Sequence, residues 1–344
     1  MSVNADAPAT QRNGWAWCAC AAVLFGAATP ATKLIVDDIG AVALAGLLYL
    51  GAAIAVAPFA LREARPTATL RQRSRLLIAV AFGGGFAPVL LVLALDRTPA
   101  GTVSLFLNLE LVATAVIARV FLKEHIGQRA GLGIVIVVLG GVVLAGVSEA
   151  GVATGAILVA ATCLCWGIDN AITASLDSYS PSQITLAKGV VAGSVNLSLG
   201  LVLHGAPAAQ FVFAALAIGA LGYGLSITMW ITGARLVGAA RGQVIFALAP
   251  FIGALLAWPI NGDRLTGTIM FAFAVSLVGV IVVATSHHSH MHTHEPREHT
   301  HPIDRDDPHH SPDVIEVLEG SHHRHLVFSH GHEHLPDIHH RHAH

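Results

Sequence analysis

Residues 100–121 read AGTVSLFLNLELVATAVIARVF. As a helix rising roughly 1.5 Å per residue, this run is about 33 Å long, enough to cross the hydrocarbon core of a bilayer. Its only charges are Glu110, near the centre, and Arg119, near the end. Nine more apolar runs of similar length flank it. The ten lie at 14–35, 40–61, 75–95, 100–121, 128–147, 152–174, 181–203, 210–232, 240–260 and 266–286. Charge, Pro or Gly separates them, as at Asp96-Arg97-Thr98-Pro99 and Asn261-Gly262-Asp263-Arg264. No soluble core explains ten such runs in succession. Strands of a membrane barrel would alternate apolar and polar residues, and these runs do not.

Composition agrees. The chain of 344 residues is 54% hydrophobic and 12% charged, half the charge of an average soluble domain at about 25%. Residues 1–286 hold 15 Lys and Arg against 11 Asp and Glu. Residues 287–344 hold 4 Arg against 10 Asp and Glu, with 19 of the 21 histidines. The first part is too apolar for a soluble enzyme, and the second is too polar to bury a core. Neither carries the basic patch of a nucleic-acid binder. Cys18, Cys20, Cys163 and Cys165 sit inside apolar runs, so they do not read as a disulfide framework. The first run is longer than a signal-peptide core of about 7–15 residues, so it reads as a retained helix.

Loop charges set the expected orientation. Arg62, Arg65, Arg71, Arg73 and Arg75 follow the second run, Lys123 and Arg129 the fourth, and Arg235 and Arg241 the eighth; Arg12 precedes the first. All fall on one side if residues 1–13 are cytoplasmic. The opposite side has little beyond Arg97 and Arg264. Ten crossings then return both termini to the cytoplasm, with a bacterial cytoplasmic membrane as the expected location.

The two halves match at an offset near 140 residues. Phe25-Gly26 stands opposite Trp166-Gly167, and Thr32 opposite Thr173. Phe82-Gly83-Gly84-Gly85 is paired with Ile218-Gly219-Ala220-Leu221. Phe121-Leu122-Lys123-Glu124-His125-Ile126 is paired with Ile260-Asn261-Gly262-Asp263-Arg264-Leu265. Five crossings per half make the second half enter the membrane inverted, an architecture of transporters. The expected fold is therefore an all-α integral membrane protein with ten transmembrane helices. It divides into repeats at 14–147 and 152–286, followed by a disordered His-rich tail at 287–344.

This 5+5 pattern, the Trp-Gly of the sixth run and the acidic residue after the fourth resemble the EamA family of the drug/metabolite transporter superfamily. Leu107-Asn108-Leu109-Glu110 and Gly167-Ile168-Asp169-Asn170 resemble a bacterial branch of it. The resemblance covers roughly residues 14–286. It implies a transporter of amino acids, metabolites, drugs or sugars, not an enzyme. The family often has Pro within the fourth span, as Pro250 stands in the ninth; here Glu110 takes the aligned position.

A mid-bilayer carboxylate costs roughly 2.5–3.5 kcal/mol on insertion scales, so it should face protein or water. Glu110 is the deepest acid and a candidate for proton coupling or for binding a cationic solute; a structural Glu bonded to Asn108 is the alternative. Asp169 and Lys188 fall at similar depth on adjacent antiparallel spans, which suits an ion pair, either a structural pin or a gate. Asn170 could bind solute or a neighbouring helix. Phe86, Trp166, Tyr223 and Trp230 are candidate cavity-lining aromatics; Trp15 and Trp17 suit the membrane interface. The glycine clusters Gly83-Gly84-Gly85 and Gly140-Gly141 lack the phosphate-binding pattern, so no nucleotide cofactor is expected. Neither Cys-x-Cys pair chelates easily, because positions i and i+2 diverge on a helix.

The tail carries His287, His288, His290, His292, His294, His299, His301, His309, His310, His322, His323, His325, His330, His332, His334, His339, His340, His342 and His344. Neutral imidazoles on a low-complexity chain suit Zn, Ni, Co or Cu ions. A pH-responsive or merely tolerated extension is the alternative.

The first expectation is a secondary transporter exporting a small metabolite or drug-like solute by alternating access, with proton coupling through Glu110. The tail would be a metal-binding regulator. A divalent Ni/Co/Zn transporter and a membrane-anchored metal-storage protein are the alternatives. Lipid, solute, protons and tail-bound ions are the expected partners, with no nucleic acid, and the chain is expected as a monomer or homodimer.

Overall fold

The computed structural model describes residues 7–121, 127–146, 152–173, 176, 178–237, 239–285, 289–294, 297–300, 315–319, 322–325 and 328–333. It divides into two units, Met1–Thr285 and Ser286–His344.

In the first unit, ten helices among the described residues are long and apolar enough to span a membrane. In order they are Asn13–Lys33, Ala41–Ala60, Leu70–Arg97, Ala100–Ile117, Gln128–Ala145, Val152–Thr173, Pro181–His204, Ala209–Gly233, Val244–Asn261 and Gly267–Ala284. They are spans one to ten below. Many of their large side chains, such as Ile157, Val202 and Phe213, point outward. In water that surface would be costly; in lipid it is matched.

The spans pack in pairs that exchange when the repeats are swapped. Span one packs on spans eight and nine, and span six on spans three and four. Two pairs map onto themselves, span two on seven and span five on ten. Small residues bring these backbones together, as is common in membrane bundles. A Cβ on Gly46 would lie 2.8 Å from the Gly193 carbonyl, and one on Gly133 would lie 2.8 Å from the Gly279 carbonyl. The aligned elements are thus related as an inverted pair.

Two kinds of interruption recur at the same offset. Span three contains a π-helical turn at Val80–Phe86, and span eight one at Ala220–Leu225. This corrects one alignment. Phe82–Gly85 corresponds to Gly222–Leu225, four residues beyond the match read from sequence. A shift of four keeps the same helical face, so small-residue patterns alone do not fix it.

Spans four and nine are each interrupted by a short break. Span four stops as an α-helix at Phe106 and resumes at Leu109; span nine stops at Phe246 and resumes at Ala249. Pro250 accounts for the second break, having no N–H to continue the ladder. The first break needs no proline. The Asn108 side-chain amide donates to the Leu105 carbonyl at 2.9 Å, competing with the backbone. The amides of Asn108, Glu110 and Leu111 bond carbonyls three residues back. The Cys163 thiol lies 4.0 Å from the Leu107 carbonyl at the break. Glu110 therefore opens the second half-helix, where a carboxylate is favoured by the helix dipole.

The second unit is described only in part. Its described residues form five short strands, β1 (Ser289–His294), β2 (Arg297–Thr300), β3 (Ile315–Glu319), β4 (His322–His325) and β5 (Phe328–Glu333). β1 pairs antiparallel with β5, and β4 lies between β2 and β3. His-x-His has the two-residue period of a strand, which composition alone does not reveal. The remaining tail histidines of the candidate metal set lie outside the described residues.

Candidate functional site

Consecutive residues of span six, Asp169 and Asn170, organise the polar centre. The Asn170 side-chain amide donates to Glu110 Oε1 at 3.1 Å. This bond joins span four of one repeat to span six of the other. Asp169 is 5% exposed and accepts from Lys188 Nζ of span seven at 2.6 Å. Its other oxygen accepts from the Thr173 hydroxyl at 3.1 Å, one turn along the same helix. Span three closes this pair against its π-helical turn. A Cβ at Gly83 would collide with the Asp169 carboxylate, so only glycine fits there.

That turn is held from two further spans. The Tyr49 hydroxyl donates to the Gly83 carbonyl at 2.5 Å. The Asn196 amide donates to the Gly85 carbonyl at 3.1 Å. A π-helical turn displaces carbonyls from the regular ladder, and here side chains from spans two and seven reach them. Asp169, Lys188, Tyr49 and Asn196 thus gather spans two, six and seven around the glycine-rich segment of span three.

An aromatic chain adjoins the centre. Tyr49 and Tyr223 have ring centroids 5.8 Å apart, and Tyr223 meets Phe25 edge-on at 5.8 Å. Phe25 lies 6.4 Å from Trp166 and 5.2 Å from Phe246, which in turn lies 5.9 Å from Trp230. Trp166 precedes Asn170 by four residues, so the two share a face of span six. Tyr49 also lies within electrostatic reach of both Asp169 and Glu110. Phe86 stands apart: it packs edge-on against Phe82 and is 58% exposed. Asn108 is buried and donates to the Leu105 carbonyl of its own span, whereas Glu110 accepts from Asn170.

Polar contacts also tie both ends of the bundle. At one end, Lys33 Nζ donates to the Leu95 carbonyl at 2.5 Å and Asn261 to the Pro30 carbonyl at 3.1 Å. Asp263 accepts the Gly101 amide at 2.7 Å, made reachable by the left-handed Gly262 that ends span nine. Beside Asp263 is a cavity of about 300 Å³ lined by Pro99, Thr102, Arg264, Met270 and Phe273. At the other end, Glu63 accepts from the Ser180 and Ser182 hydroxyls, and Gln183 donates to the Ala64 carbonyl. A smaller cavity of about 160 Å³ adjoins Glu63. Neither cavity reaches Glu110, which lies between the two tied ends. Among the described residues, no group of three or more His, Cys, Asp and Glu side chains gathers to hold a metal ion.

The profile of the EamA-like transporter family matches residues 12–146 and 153–285, once for each repeat. The chain belongs to the EamA-like transporter family. The family is one of membrane transporters, so this is a multi-pass membrane protein and not an enzyme. An uncharacterized transporter of Methanothermobacter thermautotrophicus is 25% identical to this EamA-like chain over 217 residues. The match covers 60% of this chain and 63% of that relative, so the chain spans less than two thirds of the relative's length. A crystal structure of a protein with 16% sequence identity superposes with a TM-score of 0.57, covering 80% of this chain and 98% of that one. It supports the fold alone.

Of the residues singled out from sequence, Glu110 with Asn170 and Asp169 with Lys188 are brought into contact. Trp166, Tyr223 and Trp230 join the aromatic chain. Tyr49, Phe246 and Asn196 of this EamA-like protein were not singled out from sequence, and Phe25 and Thr173 were singled out only as matches between the repeats. Asn196 carried a usable signal, because a polar residue inside an apolar span needs a partner. The aromatics carried none, because a ring in an apolar span suits lipid as well as protein.

Proposed function

We propose that this protein is a secondary active transporter, exporting a small metabolite or drug-like solute by alternating access and coupling it to protons at Glu110. One observation carries the reading. Among the described residues, Glu110 is the spanning carboxylate with no cationic partner, and it bonds across the repeat interface at a helix break. Broken helices near midplane are where inverted-repeat transporters hold solute and coupling ion. A carboxylate there alternates between an ionised form that needs compensation and a protonated form that does not. Rocking of one repeat against the other would open each tied end in turn. The chain would sit in a bacterial cytoplasmic membrane with both termini inside, and the histidine tail would bind Zn, Ni, Co or Cu as a regulator or buffer.

Reconstitution tests this. Full-length protein and a chain ending at residue 286 are placed in proteoliposomes under a pH gradient, with internal pH read by a dye. The proposal expects solute-evoked proton movement in both forms. Uptake of zinc, nickel or cobalt, lost with the tail, would instead favour the metal-transport alternative.

A further inference from the structure

We infer that the solute docks on Glu110 and Asn170 through a protonated primary amine and lays an apolar or aromatic body toward Trp166. The inference rests on the reading of Glu110 as the solute site and names the chemical class that site takes.

Charge comes first. The two spanning carboxylates of the centre are not equivalent. Asp169 is neutralised by Lys188 at 2.6 Å. Glu110 has the neutral Asn170 amide instead, and among the described residues no Lys or Arg pairs with it. The ionised site therefore lacks one positive charge. An anionic group has no free cation to meet at this centre, because Lys188 is already engaged.

Hydrogen-bonding capacity narrows the class. A carboxylate only accepts, so the Asn170 nitrogen must face Glu110 Oε1 and its own oxygen is left over. The remaining capacity at this pair is two acceptors, Asn170 Oδ1 and Glu110 Oε2, and one donor, the second N–H of Asn170. The nearby donors are spent elsewhere: Asn108 on Leu105, Tyr49 on Gly83, and Thr173 on Asp169. A ligand that supplies several N–H donors and one positive charge completes the set. A primary ammonium does both.

The aromatic neighbours separate an organic cation from a metal ion. Trp166 lies one turn from Asn170 on the same face, and its ring adjoins Phe25. Indole and phenyl faces attract an ammonium and the carbon framework next to it. They offer nothing to a hydrated divalent ion, which needs several oxygen or nitrogen ligands. Asn170 is exposed and Glu110 half-buried.

The test is equilibrium dialysis of the purified full-length chain in detergent against three probes of one shape: labelled phenethylamine, phenylacetate and 2-phenylethanol. The inference expects saturable binding of phenethylamine at one site per chain, with the acid and the alcohol bound at least about tenfold more weakly. Glu110→Gln should weaken phenethylamine by a similar factor, and Trp166→Leu should weaken it without changing the preference for the amine. Stronger binding of the acid or the alcohol overturns the amine class but leaves Glu110 standing if Glu110→Gln still weakens that probe. Amine binding unaffected by Glu110→Gln removes the solute from Glu110 and takes the underlying reading with it. No saturable binding of any probe overturns the inference, while proton movement in proteoliposomes separately tests transport.

Discussion

Asp169 and Lys188 form a nearly enclosed ion pair, with side-chain exposures of 8% and 13%. Removing one partner strands the other charge, which costs about 3–5 kcal/mol in a buried pair. Asp169→Asn or Lys188→Met alone should therefore lower the unfolding midpoint in detergent sharply, and the double substitution should recover most of it. Gly83 belongs to the same unit. Gly83→Ala puts a methyl group where the Asp169 carboxylate sits, so it should cost about 1–3 kcal/mol of overpacking. The double variant Gly83→Ala, Asp169→Ala should lose less than the sum of the two single changes, as coupled neighbours do. These charged residues were legible because charge is scarce in the spans, where each exception demands a partner. Gly83 was legible as a packing glycine, but the carboxylate against it was not, because span three and span six are far apart in sequence.

Spans four and nine show two chemical routes to one geometry. Pro250 interrupts one, and Asn108 with its bond to Leu105 interrupts the other. The sequence shows Glu110 where a proline is common, yet the fourth span is broken as well. The break persists because a short polar side chain can draw a carbonyl from the ladder as effectively as a missing N–H. Asn108→Leu should let the α-ladder run through residues 107–111. Hydrogen exchange at those amides should slow relative to wild type, and solute flux should fall as the half-helix end beside Glu110 is lost. Unchanged exchange would mean that packing, not Asn108, imposes the break. The π-helical turns teach a related lesson. Their glycines are visible in the chain, yet periodicity places the repeat register only to within one helical turn.

Across the whole molecule, fold was more legible than site. Ten apolar runs, their spacing and the offset of the halves are properties of the chain itself, and each run must be helical because lipid satisfies no backbone group. The polar centre depends on which faces of sequence-distant spans meet, and periodicity along one span does not give that. The swapped packing of the repeats leads to a prediction at this scale. Gly46→Leu or Gly133→Leu should separate a self-paired span couple and reduce transport without touching the centre, read as lost flux with Glu110-dependent phenethylamine binding retained. The tail is a separate unit, so its removal should spare transport and abolish high-capacity binding of zinc or nickel, measured by dialysis.

The central claim is that Glu110 couples proton movement to solute movement. Its most direct measurement compares two fluxes in proteoliposomes containing wild type or Glu110→Gln: solute exchange with no pH gradient, and net solute movement driven by one. The account predicts that Glu110→Gln abolishes the driven flux and leaves any residual exchange insensitive to pH. Gradient-driven flux at the wild-type rate in Glu110→Gln would contradict it.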